Sequence, residues 1–300
     1  MHSPMNESVA LSYVLTTFNK VEYLRVTLPL LVAACQSDEE IVIVDGGSTD
    51  GTKEYLGRLK EEGKIHQFIS EKDFGESHGT NKAMLMARGE LIKIITDDDV
   101  YHYPAIGRCR AFMLNHPKVD VLGFDGFGFS RALPKSTFLP SQYINGYRDW
   151  VSTKKPFLFC GLSLMIRRKS LAYMGLFNPL FKIIDMEYSM RVSSLKAGIA
   201  YYTGLGFVNI VGPDSNSVKF YEAIEQERDR VNKIYLPKGN AFTFSKSIKS
   251  LRGKLGGIKE TLIGKQLAHE VPSYVDTVEK SLWILAEHDA SHPHEILTAE

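Results

Sequence analysis

The sequence predicts an α/β protein whose first hundred residues form a doubly wound unit built on a parallel sheet. Three observations carry this. Apolar, mostly β-branched runs recur at 9–15 (VALSYVL), 40–44 (EIVIV) and 91–95 (LIKII). Helical patterns separate them. Each run stops abruptly in a polar cluster. Apolar runs without polar alternation suit strands covered on both faces, and their alternation with helices suits βα units.

The elements follow in order. The first run ends in Thr16-Thr17-Phe18-Asn19, and a helix is expected from about Val21 to Gln36, with Pro29 inside it as a kink point. EIVIV runs into Asp45-Gly46-Gly47-Ser48-Thr49-Asp50-Gly51, and a helix is expected at about Thr52–Glu62, stopped by Gly63. Ile65–Ser70 reads as a short strand and Gly75–Arg88 as a helix ending at Gly89. LIKII leads straight into Thr96-Asp97-Asp98-Asp99. In open α/β sheets ligands bind beyond the carboxyl ends of the strands. Thr17/Asn19, Asp45/Asp50, Asp73 and Asp97–Asp99 all fall there. Any one such cluster could be turn chemistry; four on one edge point to a site.

Beyond Pro104 the pattern loosens. Val119–Phe124 and Phe157–Ile166 read as strands, and Gly126–Trp150 as loops and short elements. Arg167–Gly175 reads as a short helix, Asp185–Lys196 as an amphipathic helix closed by Gly198, and Ile199–Ile210 as a strand.

Composition bounds the function. With 44% hydrophobic and 24% charged residues in 300, the chain can bury a core. Lys plus Arg is 36 against 35 acids, a formal charge of +1, which argues against a nucleic-acid partner. Cys35, Cys109 and Cys160 form no CxxC, so neither a disulfide framework nor a structural zinc site is expected, and a reducing compartment fits. No apolar run approaches the roughly 18 residues that span a bilayer, and the first residues lack a signal-peptide pattern. The expected location is cytoplasmic, or peripheral on the inner face of the membrane.

Three adjacent carboxylates raise one another's pKa unless a cation sits among them. Mg²⁺ or Mn²⁺ is the economical partner, because it takes one or two carboxylates plus phosphate oxygens. A solvated acidic loop, or Asp99 as a helix cap, would use the same residues. Neither GxGxxG nor GxxxxGK[ST] occurs, which disfavours a nicotinamide Rossmann enzyme and a P-loop NTPase. A nucleoside diphosphate held by a metal at a sheet edge remains.

Four segments resemble the family 2 glycosyltransferases of the GT-A group. SYVLTTFNK (12–20) is similar to the opening strand and P-T-Y-N loop, with Thr16 where Pro is usual. IVIVDGGSTDGT (41–52) is similar to I-V-D-D-G-S-x-D-G-T, with Gly46 replacing the second Asp. EKDFGESHGTNKAMLMARGELIKIITDDD (71–99) is similar to the stretch that ends in the D-x-D region. FCGLSLMIRRKSLAYMGLFNP (159–179) with DMEYSMRVSSLKAG (185–198) resembles the acceptor half. Together these cover roughly residues 9–200.

The resemblance implies a GT-A fold: a mixed central sheet flanked by helices, with a C-terminal helical extension. It implies a catalytic domain over 1–215, divided into a nucleotide-sugar half (9–103) and an acceptor half (104–215), and an extension over 216–300. It implies that Thr17 and Asn19 lie beside the donor base and that Asp45 accepts from base N3–H, favouring uracil or thymine. Asp73 is expected to border base and ribose, and Asn81 and Lys82 to wall the donor pocket. The D-x-D function falls on Asp97–Asp99, with Asp99 on Mn²⁺ or Mg²⁺, Asp98 as a further ligand, and Asp97 or Asp98 near the ribose; the register is open by one residue. Asp185 matches the general base of inverting members, although Ile184 stands where Glu usually precedes it. Arg191 either steadies phosphate or pairs with Glu187. His78 replaces a frequent Asp and reads as a wall or cap. The absence of Q-x-x-R-W argues against a processive synthase.

The implied activity is a metal-dependent inverting transfer from a UDP- or dTDP-sugar to a saccharide or lipid-linked acceptor in cell-surface glycan synthesis. A retaining transferase and a non-catalytic nucleotide-sugar-binding scaffold stay open; a nucleotidyltransferase lacks its Gly-rich loop. Residues 246–265 have basic amphipathic spacing, which suits an anionic membrane surface or packing on the catalytic domain. Ser273–Glu287 is a second amphipathic helix that could serve a homodimer. His288, His292 and His294 read as a disordered polar tail. Phe138, Tyr143, Tyr147 and Trp150 could stack on a sugar or pack inward.

Overall fold

Ten strands join in one mixed sheet, with helices on both faces. The computed structural model describes residues 8–131, 136–212, 215–236 and 272–299. The elements are β1 (Leu11–Thr17), α1 (Val21–Ala34), β2 (Glu39–Asp45), α2 (Thr52–Glu61), β3 (Gln67–Ser70), α3 (Glu76–Met86) and β4 (Leu91–Ile95). Next come β5 (Val100–Tyr101), α4 (Tyr103–Asn115), β6 (Val121–Ser130), β7 (Leu139–Pro140), α5 (Tyr143–Thr153) and β8 (Met165–Arg167). The rest are α6 (Leu171–Met174), α7 (Ile184–Ser194), β9 (Ile199–Val211), α8 (Asn216–Lys219), α9 (Tyr221–Tyr235), α10 (Tyr274–Ser291) and β10 (Ile296–Thr298).

The sheet order is β10-β9-β6-β8-β4-β1-β2-β3, with β5 on β9 and β7 on β6. β1 lies parallel between β2 and β4, with Leu15 level with Ile43 and Ile95. β8 runs antiparallel to both β4 and β6, and so joins the parallel half to a second half in which β6 and β9 run parallel. Successive side chains of a strand point to opposite faces, which divides the core in two. Leu11, Tyr13, Leu15, Ile41 and Ile43 meet Leu24, Leu28 and Leu31 of α1 and Ile106 of α4. Val14, Val42 and Val44 meet Ala83 and Met84 of α3, and the same layer holds Tyr147, Trp150, Phe157 and Phe159. Tyr147 and Trp150 are therefore core residues, 1% and 3% exposed, and not a sugar platform; Phe138 stacks on Phe129 at 4.7 Å.

Other expectations need correction. Residues 126–130, read as the start of a loop segment rich in aromatics and Pro, continue β6. Glycine is required at 126: a Cβ there would stand 2.4 Å from the Phe207 carbonyl oxygen of the paired strand. Phe157–Ile166 is mostly extended chain and a 3₁₀ turn at Gly161–Ser163, with only its end in β8. The C-terminal part is not wholly helical, since β10 pairs antiparallel with β9. Val278 and Leu285 of α10 are buried in a cluster with Val100, Phe129 and Ile210, so that face is used within the chain. His288 and His292 stack at the end of α10, and His294 meets Tyr202, so the three histidines are placed and not a loose tail. Residues 246–265 lie outside the described residues. Among the described residues no helix is long and apolar enough to cross a membrane.

Candidate active site

Because β1, β2 and β4 are parallel and in register, their polar ends meet on one edge. Thr17 ends β1 level with Asp45, and its Oγ1 donates to Asp97 Oδ2 at 2.8 Å. Asn19 takes a left-handed conformation (φ 53°), which its short polar side chain tolerates. Its amide N–H donates to Ser48 Oγ at 2.7 Å, and its Oδ1 accepts from Thr49 N–H at 2.8 Å. Asp50 accepts from Val21 N–H and Thr52 N–H, both at 3.0 Å, and so caps α1 and α2 together. Burial works against its charge, yet bonds from Thr52 and the Val21 amide hold Asp50 below the usual carboxylate range.

Asp45 is fully buried. Its carboxylate accepts from the Ser48 N–H and hydroxyl and from Ser70 Oγ at 2.6 Å. In this conformation it shapes the pocket from behind. Gly46 takes the following position, where a Cβ would lie 2.8 Å from Asp73 Oδ2. A Cβ on Gly79 would lie 3.0 Å from the same oxygen. The Asp73 carboxylate, also held by Gly75 N–H at 2.8 Å, therefore fills the space that two side chains leave free.

The three aspartates diverge. Asp97 faces Thr17, and burial with Asp98 beside it pushes its carboxyl well above the usual range. Asp98 holds the Lys20 ammonium at 2.6 Å. Asp99 turns inward: Oδ2 accepts from Thr96 Oγ1 at 2.7 Å, and Oδ1 from Ile210 N–H at 2.7 Å and Asn209 Nδ2 at 3.1 Å. Burial first, and Asp98 next, push Asp99 up to about 7.

Asp185 sits in the first turn of α7. Its Oδ2 accepts from Gly161 N–H at 3.1 Å and its Oδ1 from Met186 N–H at 2.8 Å; burial raises its pKa. Glu76, which accepts from Asn216 Nδ2 at 3.0 Å, has its carboxyl pushed up by burial and then by the charges of Asp185 and Asp98. Lys93 is completely buried. Its ammonium donates to the carbonyls of Leu162 at 2.5 Å and Ile94 at 2.7 Å, and burial lowers its pKa to about 7. It thus ties β4 to the turn whose Gly161 N–H holds Asp185.

Other candidates serve the frame. Asn81 exchanges both amide bonds with the Phe177 backbone, at 2.8 and 2.9 Å, clamping α3 to the acceptor half. Lys82 pairs with Glu71 at 2.7 Å. Arg191 pairs with Glu187 and donates to the Leu176 carbonyl at 2.7 Å, so of its two readings the structural one holds. His78 Nδ1 accepts from Phe74 N–H at 3.2 Å, a capping role. Sequence reasoning missed Lys20, Lys93 and Asp125; the last accepts from Tyr143 and Ile144 N–H at the start of α5. A lone charge inside the LIKII run was the available signal for Lys93.

Among the described residues no three histidine, cysteine or carboxylate side chains form a ready-made metal cage. A hard divalent ion shared with phosphate needs only one or two carboxylates.

The sequence profile described as glycosyl transferase family 2 matches residues 12–173. The chain belongs to glycosyl transferase family 2. A Nostoc glycosyltransferase, alr2836, is 32% identical over 93 residues, which cover 30% of this chain and 29% of that protein. The Bacillus subtilis glycosyltransferase TuaG, named for teichuronic acid biosynthesis, is 23% identical over 194 residues, 64% of this chain and 74% of TuaG. Among solved structures, residues 1–349 of Staphylococcus aureus TarS with UDP-GlcNAc superpose with a TM-score of 0.56 at 18% identity, covering 94% of this chain and 87% of that one. The mannosyltransferase PcManGT of Pyrobaculum calidifontis, with GDP-Man and Mn²⁺, gives 0.55 at 14% identity, with the same coverage. These two likenesses show the GT-A fold. The chain spans 53% of a longer TarS chain.

Proposed function

We propose that this family 2 enzyme is a metal-dependent inverting glycosyltransferase that takes its sugar from a nucleoside diphosphate. The observation that carries the reading is the meeting of Thr17, Lys20, Asp97 and Asp98 on one sheet edge, together with a carboxylate, Asp185, in the first turn of α7. Asp98 is the residue to hold Mn²⁺ or Mg²⁺, because the oxygens of Asp99 are engaged inside the protein. The Mn²⁺ in PcManGT supports a divalent ion. When bound, that ion would neutralise charge on the departing diphosphate.

The chain's own groups divide the remaining work. Asp73, with its carboxylate beside Gly46, takes the base-recognition role that the sequence pattern put on Asp45. Thr17 orients Asp97 toward the ribose side. Asp185 takes the proton from the acceptor hydroxyl as that oxygen attacks the anomeric carbon and the bond to the diphosphate breaks. Burial raises its pKa, which makes it a stronger proton acceptor than an ordinary carboxylate. UDP or dTDP is the donor nucleotide under this reading, and cell-surface glycan the product, as the name of TuaG suggests.

The test is calorimetric titration of UDP, dTDP and GDP, with and without Mn²⁺, into wild type and Asp98→Ala. Metal-dependent binding that the substitution abolishes supports the reading. Binding of no nucleotide by wild type overturns it.

A further inference from the structure

Two buried polar groups near the aspartate triplet have no partner. Arg131 directly follows β6, and its backbone N–H donates to the Val211 carbonyl at 2.9 Å, which fixes where its side chain starts. Tyr274 opens α10. Among the described residues, Arg131 Nε and the Tyr274 hydroxyl are buried without a hydrogen-bond partner. Unmet donors of this kind are costly and therefore uncommon unless something else meets them.

Their surroundings say what that is. The Arg131 guanidinium lies 5.4 Å from the Tyr274 ring centroid. Tyr274 meets Tyr23 edge-on at 4.7 Å, and the Lys20 ammonium sits 4.6 Å from the centre of the Tyr23 ring. Lys20 in turn is paired with Asp98. A continuous ladder of Arg131, Tyr274, Tyr23 and Lys20 thus leads to the carboxylate proposed for the metal. The Tyr274 hydroxyl is pushed up by burial, and further by Asp98, Asp99 and Asp97. It stays protonated and can donate. Guanidinium and ammonium have donors only. Two donor-only cations beside a protonated phenol that can donate are complementary to anionic oxygens.

We infer that Arg131 and Tyr274, together with Lys20, clamp the diphosphate of the donor. This rests on the nucleoside-diphosphate reading above and extends it to a residue at the end of β6 and to the C-terminal helix. The clamp covers the side of the diphosphate away from the base pocket of Asp73 and Asn19. It also gives α10 a functional reason to dock on α1: it delivers Tyr274.

The experiment titrates inorganic pyrophosphate, the three nucleoside diphosphates and their parent nucleosides into wild type, Arg131→Met, Arg131→Lys and Tyr274→Phe, with Mn²⁺ throughout. Pyrophosphate and diphosphate binding is expected to weaken about tenfold or more in Arg131→Met and several-fold in Tyr274→Phe. Arg131→Lys recovers part of the loss, and nucleoside binding stays level in all variants. Tyr274→Phe removes one oxygen and keeps the ring contacts, so its result does not depend on whether Arg131→Met folds. Wild-type diphosphate affinity in both Arg131→Met and Tyr274→Phe overturns the clamp and leaves the donor reading standing. Pyrophosphate binding that needs Arg131, with no nucleotide bound by any variant, supports the clamp and overturns the donor reading. If wild type binds neither pyrophosphate nor nucleotide, both fall.

Discussion

Replacing Lys93 by Met should change how stability depends on pH. Lys93 is completely buried, bonded to two carbonyl oxygens and flanked by the rings of Tyr101 and Phe124. Burial lowers its pKa from 10.5 to about 7. Below pH 7 both folded and unfolded chains carry the proton, and the cost of burying the charge is fully present. Between pH 7 and 10.5 the unfolded chain still binds a proton that the folded chain has released, so stability rises with pH. One proton is worth about 1.4 kcal/mol per pH unit, so from about pH 7.5 to 9.5 this residue adds roughly 2–3 kcal/mol. Methionine follows the lysine stem but cannot titrate. It also leaves two carbonyls without their donor, at a cost of about 1–3 kcal/mol each at most, so the offset between the curves is not diagnostic. The slope is. Urea unfolding at half-unit steps over that range should show wild type rising more steeply than Lys93→Met by the amount above. Parallel curves would refute the reasoning, and would mean that Lys93 keeps its proton or never lacked solvent.

Three further outcomes follow from the same geometry. Asp98→Ala should lose Mn²⁺-dependent nucleotide binding in calorimetry, whereas Asp99→Ala should keep it and instead lower the unfolding free energy by about 1–3 kcal/mol, because one buried and two part-buried donors lose their acceptor. Asp185→Asn should lower kcat by roughly 10²–10⁴-fold with little change in donor KM; an unchanged kcat in a steady-state assay would remove it as the base. Gly46→Ala puts a Cβ 2.8 Å from Asp73 Oδ2 and displaces that carboxylate. Nucleotide affinity should drop toward that of Asp73→Ala, and unchanged affinity by calorimetry would clear Asp73 of a role in base binding.

The parallel half was legible in the sequence because a continuous apolar run with a polar end suits little besides a strand buried on both faces. The register of β1 with β2 and β4 then brings Thr17, Asp45 and Asp97 to one edge. What adjacent letters could not convey was direction. Asp97, Asp98 and Asp99 are neighbours in sequence, yet they meet Thr17, Lys20 and Ile210 respectively. The partner that takes Asp99 inward comes from β9, far along the chain, and leaves no local trace. The second half was harder for a related reason. The aromatic- and Pro-rich stretch from Gly126 gave no strand pattern, and only the close approach of Phe207 shows why Gly126 is there. Tyr147 and Trp150 could either stack on a sugar or pack inward while 126–150 read as loops; they lie in α5, whose first amides Asp125 of β6 accepts, and both rings are buried.

The last strand has a consequence for the order of assembly. β9 ends at Val211, and its edge partner β10 begins only at Ile296. At synthesis rates of roughly 5–20 residues per second, β9 leaves the ribosome several seconds before its partner is made. During that interval an apolar strand presents unpaired N–H and C=O groups, the arrangement that invites pairing with a second nascent chain. A stalled or prematurely terminated nascent chain should therefore aggregate through β9, although strands β1 to β4 have already been synthesised.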